Sequence, residues 1–221
     1  MDCDLSPVEV RILGSLFEKE VTTPEYYPLS LNGLTLGCNQ KSNRDPVMSL
    51  TDEAVAAALE GLRGRGLVYF VRETGSRVEK YRQRLSEILN LDRRELAILC
   101  VLMLRGFQTT GELRERSQRL YAFDDLAAVE SCLYRMIERN PVPLAVKLPR
   151  TPGSKESRYA HLLSGTPEVV ETQAASNSPS DLVGRLSQLE RISALENEVA
   201  GLKNEVADLR GQLAEFRKQF E

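Results

Sequence analysis

The hydrophobic pattern begins with three helical stretches and then changes to two short β-type runs. The first stretch, 5–20, places apolar residues at helical spacing. Ser6 is followed by Pro7 and Glu9, which predicts that this helix begins with a capping box. Thr51 is suitably placed to cap the third helix. The predicted elements of this first unit are helices over 5–20, 29–37 and 51–63, and strands over 67–71 and 78–82.

The same order of elements occurs a second time after residue 90. A nearly all-apolar helix over 91–106 should be well buried. Helices over 109–117 and 124–140 follow it. Two β-type runs, "VPLAVKLP" and "SRYAHLL", then lie on either side of the turn "RTPGSK". This order indicates an internal structural repeat of about 80 residues with weak residue identity.

Three small helices followed by a β-hairpin form the winged helix-turn-helix pattern, which here occurs in tandem. In each unit the third helix takes the recognition-helix position and the hairpin forms the wing. The predicted domains are 1–86 and 87–164, and residues 165–181 form a linker rich in Thr, Ser, Pro and Ala. We therefore predict a mainly α protein with small β-hairpins, made of two tandem winged helix-turn-helix domains plus a C-terminal coiled-coil helix.

Residues 182–221 have the apolar spacing of a coiled coil. Apolar positions there alternate by steps of three and four, which is the repeat of a left-handed supercoil. One series is mostly β-branched and the other is rich in leucine, which favours a parallel, two-stranded homodimer. A lone amphipathic helix packed on its own winged-helix domains is the alternative. The predicted dimerisation residues are Ile192, Leu195, Val199, Leu202, Val206, Leu209, Leu213 and Phe216.

Composition is that of an ordinary globular protein, with 42% hydrophobic and 28% charged residues and a net charge of -3. No run approaches the ~20 apolar residues of a membrane span. The acidic start lacks the features of a signal peptide, so we expect a cytoplasmic protein with no membrane partner. The four cysteines lie far apart, which does not favour a zinc site or a disulfide framework. We expect neither a metal nor another cofactor.

Segment 34–50, "LTLGCNQKSNRDPVMSL", has the composition most typical of a site. Its Gly, Asn, Asp and Pro residues suit a turn between the second and third helices, with Arg44 tied to a local carboxylate or carbonyl. The alternative is a polar surface of Lys41, Asn43 and Arg44 that contacts a phosphate or a partner. Catalysis is not favoured, because Cys38 has no histidine near it in the sequence. The one histidine, His161, lies in the second predicted domain, where a strand histidine with a satisfied hydrogen bond is expected.

The third helices and the hairpins differ in charge. Outward positions of the third helices include Asp52, Glu53 and Asp124, which phosphates would repel. The hairpins are rich in Lys and Arg, which would give salt-sensitive, sequence-independent affinity for DNA. A solvated basic strand face is the alternative for these residues. The candidate nucleic-acid contacts are Lys41, Arg44, Arg72, Arg77, Lys80, Arg82, Lys147, Arg150, Lys155 and Arg158.

Two segments carry a resemblance to a known family. "CNQKSNRDPVM" (38–48) with the "LTDEAVAAALEGLRGRGLV" that follows it, and "QTTGELRERSQRLYAF" (108–123), resemble the YceH family of uncharacterised bacterial proteins. The resemblance covers roughly residues 5–163 and implies two tandem winged-helix domains, but no biochemical activity.

We expect a non-enzymatic binding protein that acts as a dimer. The leading hypothesis is a DNA-associated or transcription-related factor with wing-led contacts, since winged helices commonly bind DNA. The alternative is a protein-interaction scaffold whose winged helices dock a protein partner. The acidic third helices favour the scaffold, whereas the basic hairpins favour DNA.

Overall fold

The computed structural model describes residues 4–72, 78–150 and 156–167. The elements of its first half are α1 (Pro7–Thr22), a 3-10 helix (Pro24–Tyr26), β1 (Leu29–Ser30), α2 (Leu31–Cys38), α3 (Asp52–Gly64), β2 (Val68–Val71) and β3 (Lys80–Gln83). The three strands form a small antiparallel sheet. Its strand order is β1-β3-β2, with Leu29 opposite Tyr81 and Phe70 opposite the same tyrosine from the other side.

In the second half, an antiparallel hairpin of two strands follows the helices. Ala145 pairs with His161 and Lys147 with Tyr159. The elements are α4 (Leu85–Ile88), α5 (Arg93–Arg105), α6 (Thr110–Ser117), α7 (Leu126–Ile137), β4 (Ala145–Lys147) and β5 (Tyr159–His161). The described residues are therefore mainly helical, with small antiparallel β-hairpins, as the sequence predicted.

Side-chain caps fix where the helices begin. Ser6 and Glu9 form the predicted capping box of α1, and Thr51 caps α3 as expected. Further capping boxes start α5 at Asp92 and α6 at Thr109. Each cap satisfies backbone N–H groups that have no partner within the helix. A capping residue lies next to its helix in the sequence, which is why the starts at Ser6 and Thr51 could be predicted.

Helices α1 and α5 form the centre of the described fold. Each buries eight consecutive residues, 9–16 in α1 and 97–104 in α5. Gly14 allows the two helices to approach closely, since a Cβ atom there would lie 2.9 Å from Cδ2 of Leu104. The described residues all belong to one compact unit. The predicted boundary between residues 86 and 87 lies inside that unit.

Some features differ from the sequence expectations. Strand β1, the 3-10 helix and α4 were not predicted, because elements of two to four residues are too short to show periodicity. Leu126 has the helical spacing of the apolar face formed by Val129, Leu133 and Met136, which predicts burial, yet it is 47% exposed at the first position of α7. No helix in the described ranges is long and apolar enough to cross a membrane. The predicted coiled coil, 182–221, and most of the predicted linker lie outside the described residues.

Candidate functional site

The polar segment between α2 and α3 is held in place by buried hydrogen bonds. Arg11, from the middle of α1, donates to the carbonyl oxygens of Cys38 (3.1 Å) and Pro46 (2.6 Å). The side chain of Asn39 exchanges two hydrogen bonds of 2.8 Å with the backbone of Leu50. These contacts join the two ends of the segment, which is the turn that its composition predicted.

Arg44 is the most constrained residue of this turn. Its side chain is fully buried, and its Nη2 lies 2.6 Å from Oε2 of Glu18, which is itself 15% exposed. Its Nε and Nη2 also donate to the carbonyl oxygen of Gly37, at 3.1 and 2.9 Å. Arg44 is therefore tied to a local carboxylate and carbonyl, and its guanidinium does not face solvent. Lys41, three residues before it, is exposed.

Asn43 connects this turn to α5 and α6 at the edge of a cleft. Its backbone is left-handed, with φ of 59°, and its Oδ1 accepts a hydrogen bond from Arg105. The cleft has a volume of about 480 Å³. We call it the arginine cleft, and its lining residues are Glu18, Thr22, Asn43, Cys100, Val101, Leu104, Arg105, Glu115, Arg116, Gln118, Arg119 and Leu120. Both segments that carried the family resemblance, 38–48 and 108–123, contribute to it.

The buried cysteines have the environment of core residues. Burial raises the pKa of the Cys100 and Cys38 thiols, and it raises the pKa of Cys132 to about 11. A thiol that stays protonated is a poor nucleophile and a poor metal ligand. Within the described ranges, no three His, Cys, Asp or Glu residues are grouped as a metal site would require.

His161 lies in β5, as predicted, but one expectation about it was wrong. Its Nδ1 is buried and has no hydrogen-bond partner among the described residues. Burial lowers the pKa of His161 to about 4, because the charged ring would lose its hydration. The imidazole is therefore neutral near neutral pH.

The third helices of both halves present acidic outer faces. On α3, Asp52, Glu53 and Glu60 are exposed, whereas Val55 and Leu59 are buried. On the second of these helices, α7, Asp124 and Asp125 are exposed just before its first residue, and Glu130 is exposed in its second turn. Neither helix therefore carries the net positive charge that binding to phosphates requires.

A groove of about 540 Å³ lies between α7 and the second hairpin. Tyr134 is 66% exposed beside it, and Glu130 is its neighbour one turn earlier on the helix. The hairpin contributes Lys147 and Tyr159, whose ring centroid lies 6.0 Å from the lysine Nζ. The remaining lining residues are Ala127, Ser131, Leu133 and Ile137. The surface therefore combines apolar, aromatic, acidic and basic groups.

Several candidate cations of the first hairpin are paired with carboxylates. Arg72, which is 76% exposed, pairs with Glu79 across the hairpin. Nη2 of Arg82 lies 3.6 Å from Oε1 of Glu20 on α1. Lys80 lies in β3 and is half-buried. Arg77 lies outside the described residues.

The second hairpin leaves more of its positive charge without a carboxylate. Nη1 of Arg158 lies 3.6 Å from Oε2 of Glu112 and donates a hydrogen bond of 2.9 Å to the carbonyl oxygen of Phe107. Lys147 and Arg150 are exposed, and neither forms an ion pair with another described residue. Lys155 lies outside the described residues.

Comparison with known proteins places this sequence in a family. Residues 5–154 match the sequence profile of the family described as "Protein of unknown function, DUF480". The chain belongs to the DUF480 family. A UPF0502 protein of Geobacter sulfurreducens is 52% identical over 200 residues, which is 90% of each chain. A UPF0502 protein of Vibrio atlanticus is 47% identical over 204 residues, which is 90% of this chain and 92% of that relative. The resemblance to an uncharacterised bacterial family is thus confirmed.

Sequence reasoning about this DUF480 chain missed Arg11, which holds the turn between α2 and α3, and Arg105, which lines the arginine cleft. Arg11 stands between apolar neighbours in α1, and a cation within an apolar stripe was a signal that it is buried with polar partners. Arg105 gave no comparable signal, because a basic residue in the last turn of a helix is common for electrostatic reasons alone. Its bond to Asn43 spans 62 positions and depends on the tertiary fold.

Proposed function

We propose that this DUF480 protein is a non-enzymatic interaction scaffold in which two winged helix-turn-helix units dock a protein partner. The groove beside α7 is the observation that carries this proposal. Exposed tyrosines with apolar neighbours act as anchors in protein interfaces, and Tyr134 is 66% exposed there. Glu130 and Lys147 also line the groove, so the matching partner is a polypeptide segment with apolar side chains and charged groups of both signs.

The charge of the third helices supports a protein rather than DNA as the main ligand. In winged helices that read DNA, the start of the third helix enters the major groove. Here that start carries exposed Asp52 and Glu53 in the first half, and exposed Asp124 and Asp125 in the second. Each carboxylate would face phosphates of the same charge, which costs affinity.

A capture experiment with nuclease tests the proposal. The tagged full chain is incubated with cytoplasmic extract, with and without nuclease, and bound proteins are compared. A partner should remain after nuclease, should be lost with Tyr134→Ala and Glu130→Lys, and should be retained with Tyr26→Ala, a control tyrosine that is 72% exposed on the first half. A partner that disappears with nuclease, or equally with all three substitutions, would contradict a protein-docking function.

DNA association through the hairpins is the second candidate function. Lys147 and Arg150, exposed and without a carboxylate partner among the described residues, favour it. Replacing both by alanine should weaken binding to any DNA duplex and reduce its salt dependence, whereas Asp52→Ala with Glu53→Ala should leave affinity equal or higher. Fluorescence anisotropy with duplexes of unrelated sequence measures both effects. Binding that depends on base sequence and on α3 would count against hairpin-led contacts.

We also propose that residues 182–221 form the parallel homodimeric coiled coil that their heptad pattern predicts. Sedimentation should show a dimer for the full chain. Truncation at Gly165 should give a monomer or a much weaker dimer, because the apolar seam drives association. Equal dimerisation of both proteins would overturn this assignment.

A further inference from the structure

Within the part of the chain that the structure describes, the arginine cleft is lined by more unpaired arginines than unpaired glutamates. Its charged lining consists of Glu18, Glu115, Arg105, Arg116 and Arg119. Glu18 is already neutralised by buried Arg44, at 2.6 Å. Arg116 pairs with Glu112, at 3.2 Å, and shares that carboxylate with Arg158, at 3.6 Å. Two arginines, 105 and 119, and one glutamate, 115, remain, and none of these three forms an ion pair within residues 4–72, 78–150 and 156–167.

Arg105 has unused hydrogen-bonding capacity in the cleft. A guanidinium carries five N–H donors in a planar fork. Among the described residues, the side chain of Arg105 donates only to Oδ1 of Asn43. Burial lowers the pKa of Arg105, and the nearby Arg116 lowers it further, since like charges are crowded there. The guanidinium nonetheless stays charged, so an added anion would relieve this repulsion.

The cleft also has the size and walls of a small-molecule site. Its volume of about 480 Å³ falls within the usual range for ligand pockets. Val101, Leu104 and Leu120 provide apolar wall on the α5 and α6 sides. Charged donors beside an apolar wall suit a ligand that has an anionic group attached to a small carbon skeleton.

We propose that the arginine cleft binds a small anionic metabolite, whose carboxylate or phosphate group is held by Arg105 and Arg119. This site is separate from the groove beside α7, and the inference does not depend on the proposed docking function. Planar guanidinium groups can bind either class of anion in a bidentate manner. Glu115 lowers the affinity of the site for anions, because its carboxylate lies close enough to Arg105 to affect that pKa.

Titration calorimetry on the full chain at constant ionic strength tests this inference, with pyrophosphate and citrate as separate probes. At least one probe should bind saturably, with one site per chain. Arg105→Gln and Arg119→Gln should each weaken binding about tenfold, which is the loss of one charge-assisted hydrogen bond. Glu115→Gln should strengthen the binding of the probe. Arg93→Gln is the matched control, because Arg93 is exposed at the opposite end of α5.

The outcomes separate the sources of the anion and the effects of misfolding. Binding of pyrophosphate alone assigns a phosphate group, and binding of citrate alone assigns a carboxylate. If Arg105→Gln unfolds the protein because the Asn43 bond is lost, Arg119→Gln decides, since Arg119 makes no hydrogen bond or ion pair with described residues. Absence of saturable binding by either probe, an equal loss with Arg93→Gln, or weaker binding with Glu115→Gln would overturn the proposal.

Discussion

At the scale of single residues, two buried arginines determine the path of the turn between α2 and α3. Arg11 bonds to carbonyl oxygens at both ends of the turn, and Arg44 bonds to Glu18 and Gly37. A buried guanidinium is costly unless its donors are satisfied, so the fold around each one supplies acceptors at fixed positions, although the buried Nε of Arg11 has no partner among the described residues. The turn is therefore specified by side chains from α1 as much as by its own residues.

Replacing Arg44 by methionine should destabilise the protein strongly. The substitution leaves the carboxylate of Glu18, which is 15% exposed, without its partner. We expect a loss of about 3 kcal/mol in the free energy of unfolding, measured by urea denaturation. Lys41→Met, in the same turn but exposed, should change stability by less than about 0.5 kcal/mol. Adding Glu18→Gln to Arg44→Met should recover part of the loss, and equal effects of the two single substitutions would contradict a structural role for Arg44.

His161 should make stability fall as the pH falls. Burial lowers its pKa to about 4 in the folded protein, whereas the unfolded chain titrates near 6.5. Between these values the unfolded state binds more protons, so stability is complete above pH ~6.5 and decreases towards pH ~4. Because the residue is only half-buried, we expect about 2 kcal/mol of this loss to come from His161.

Urea denaturation at several pH values, with and without His161→Leu, measures this contribution. The variant should lose markedly less stability than the wild type between neutral pH and pH ~4.5, because its side chain cannot take up a proton. Parallel pH profiles for the two proteins would show that the carboxylates alone cause the acid sensitivity.

At the scale of elements, local capping chemistry decides where helices begin. Thr109 starts α6, where its hydroxyl accepts from the N–H of Glu112 and the carboxylate of that glutamate accepts from the N–H of Thr109. The apolar content of α6 is low, and only Leu113 and Ser117 are buried. Capping should therefore matter more for α6 than for the buried helix α5.

Thr109→Ala should cost about 1 kcal/mol of stability, which is the usual loss for a threonine N-cap. Thr110→Ala, one residue later and inside the helix, removes no cap and should be close to neutral. Thermal unfolding of the two variants compares them directly, and amide hydrogen exchange shows whether the loss is confined to α6. The role of the cap would be refuted by similar unfolding temperatures for both.

The elements also show how far sequence reasoning reaches. Helix starts at Ser6 and Thr51 could be predicted because a cap and its helix are adjacent in the chain. The arginine cleft could not be predicted in the same way. Asn43 and Arg105 meet only after α1 and α5 have packed together, and the exposure of Leu126 likewise depends on its tertiary neighbours. Periodicity carries local information, whereas these features depend on contacts between distant residues.

At the scale of the whole molecule, the two halves share one hydrophobic core. A continuous cluster of buried residues runs from Leu5 in the first half to Leu163 at the end of the second. Backbone hydrogen bonds also connect the halves. The N–H of Leu5 donates to the carbonyl oxygen of Leu163 at 2.9 Å, and the N–H of Asp45 donates to that of Leu104 at 2.8 Å. The repeat that the sequence predicts therefore does not by itself define two independent folding units.

The last prediction is that neither half folds alone. A fragment of residues 1–86 would expose the face of α1 that α5 covers, including Gly14, which contacts Leu104 in the intact chain. A fragment of residues 87–164 would expose α5, eight of whose consecutive residues are buried in the intact fold. Such small domains have little stability to lose, so removing a shared core should leave both fragments largely unfolded. Circular dichroism should show little helix in each fragment, and amide NMR spectra of each fragment should show poor dispersion. The fragment of residues 1–167, in contrast, should unfold in a single transition. A dispersed spectrum and cooperative melting of the first fragment would show instead that α1 is held by its own half, and that α5 covers a surface that is stable without it.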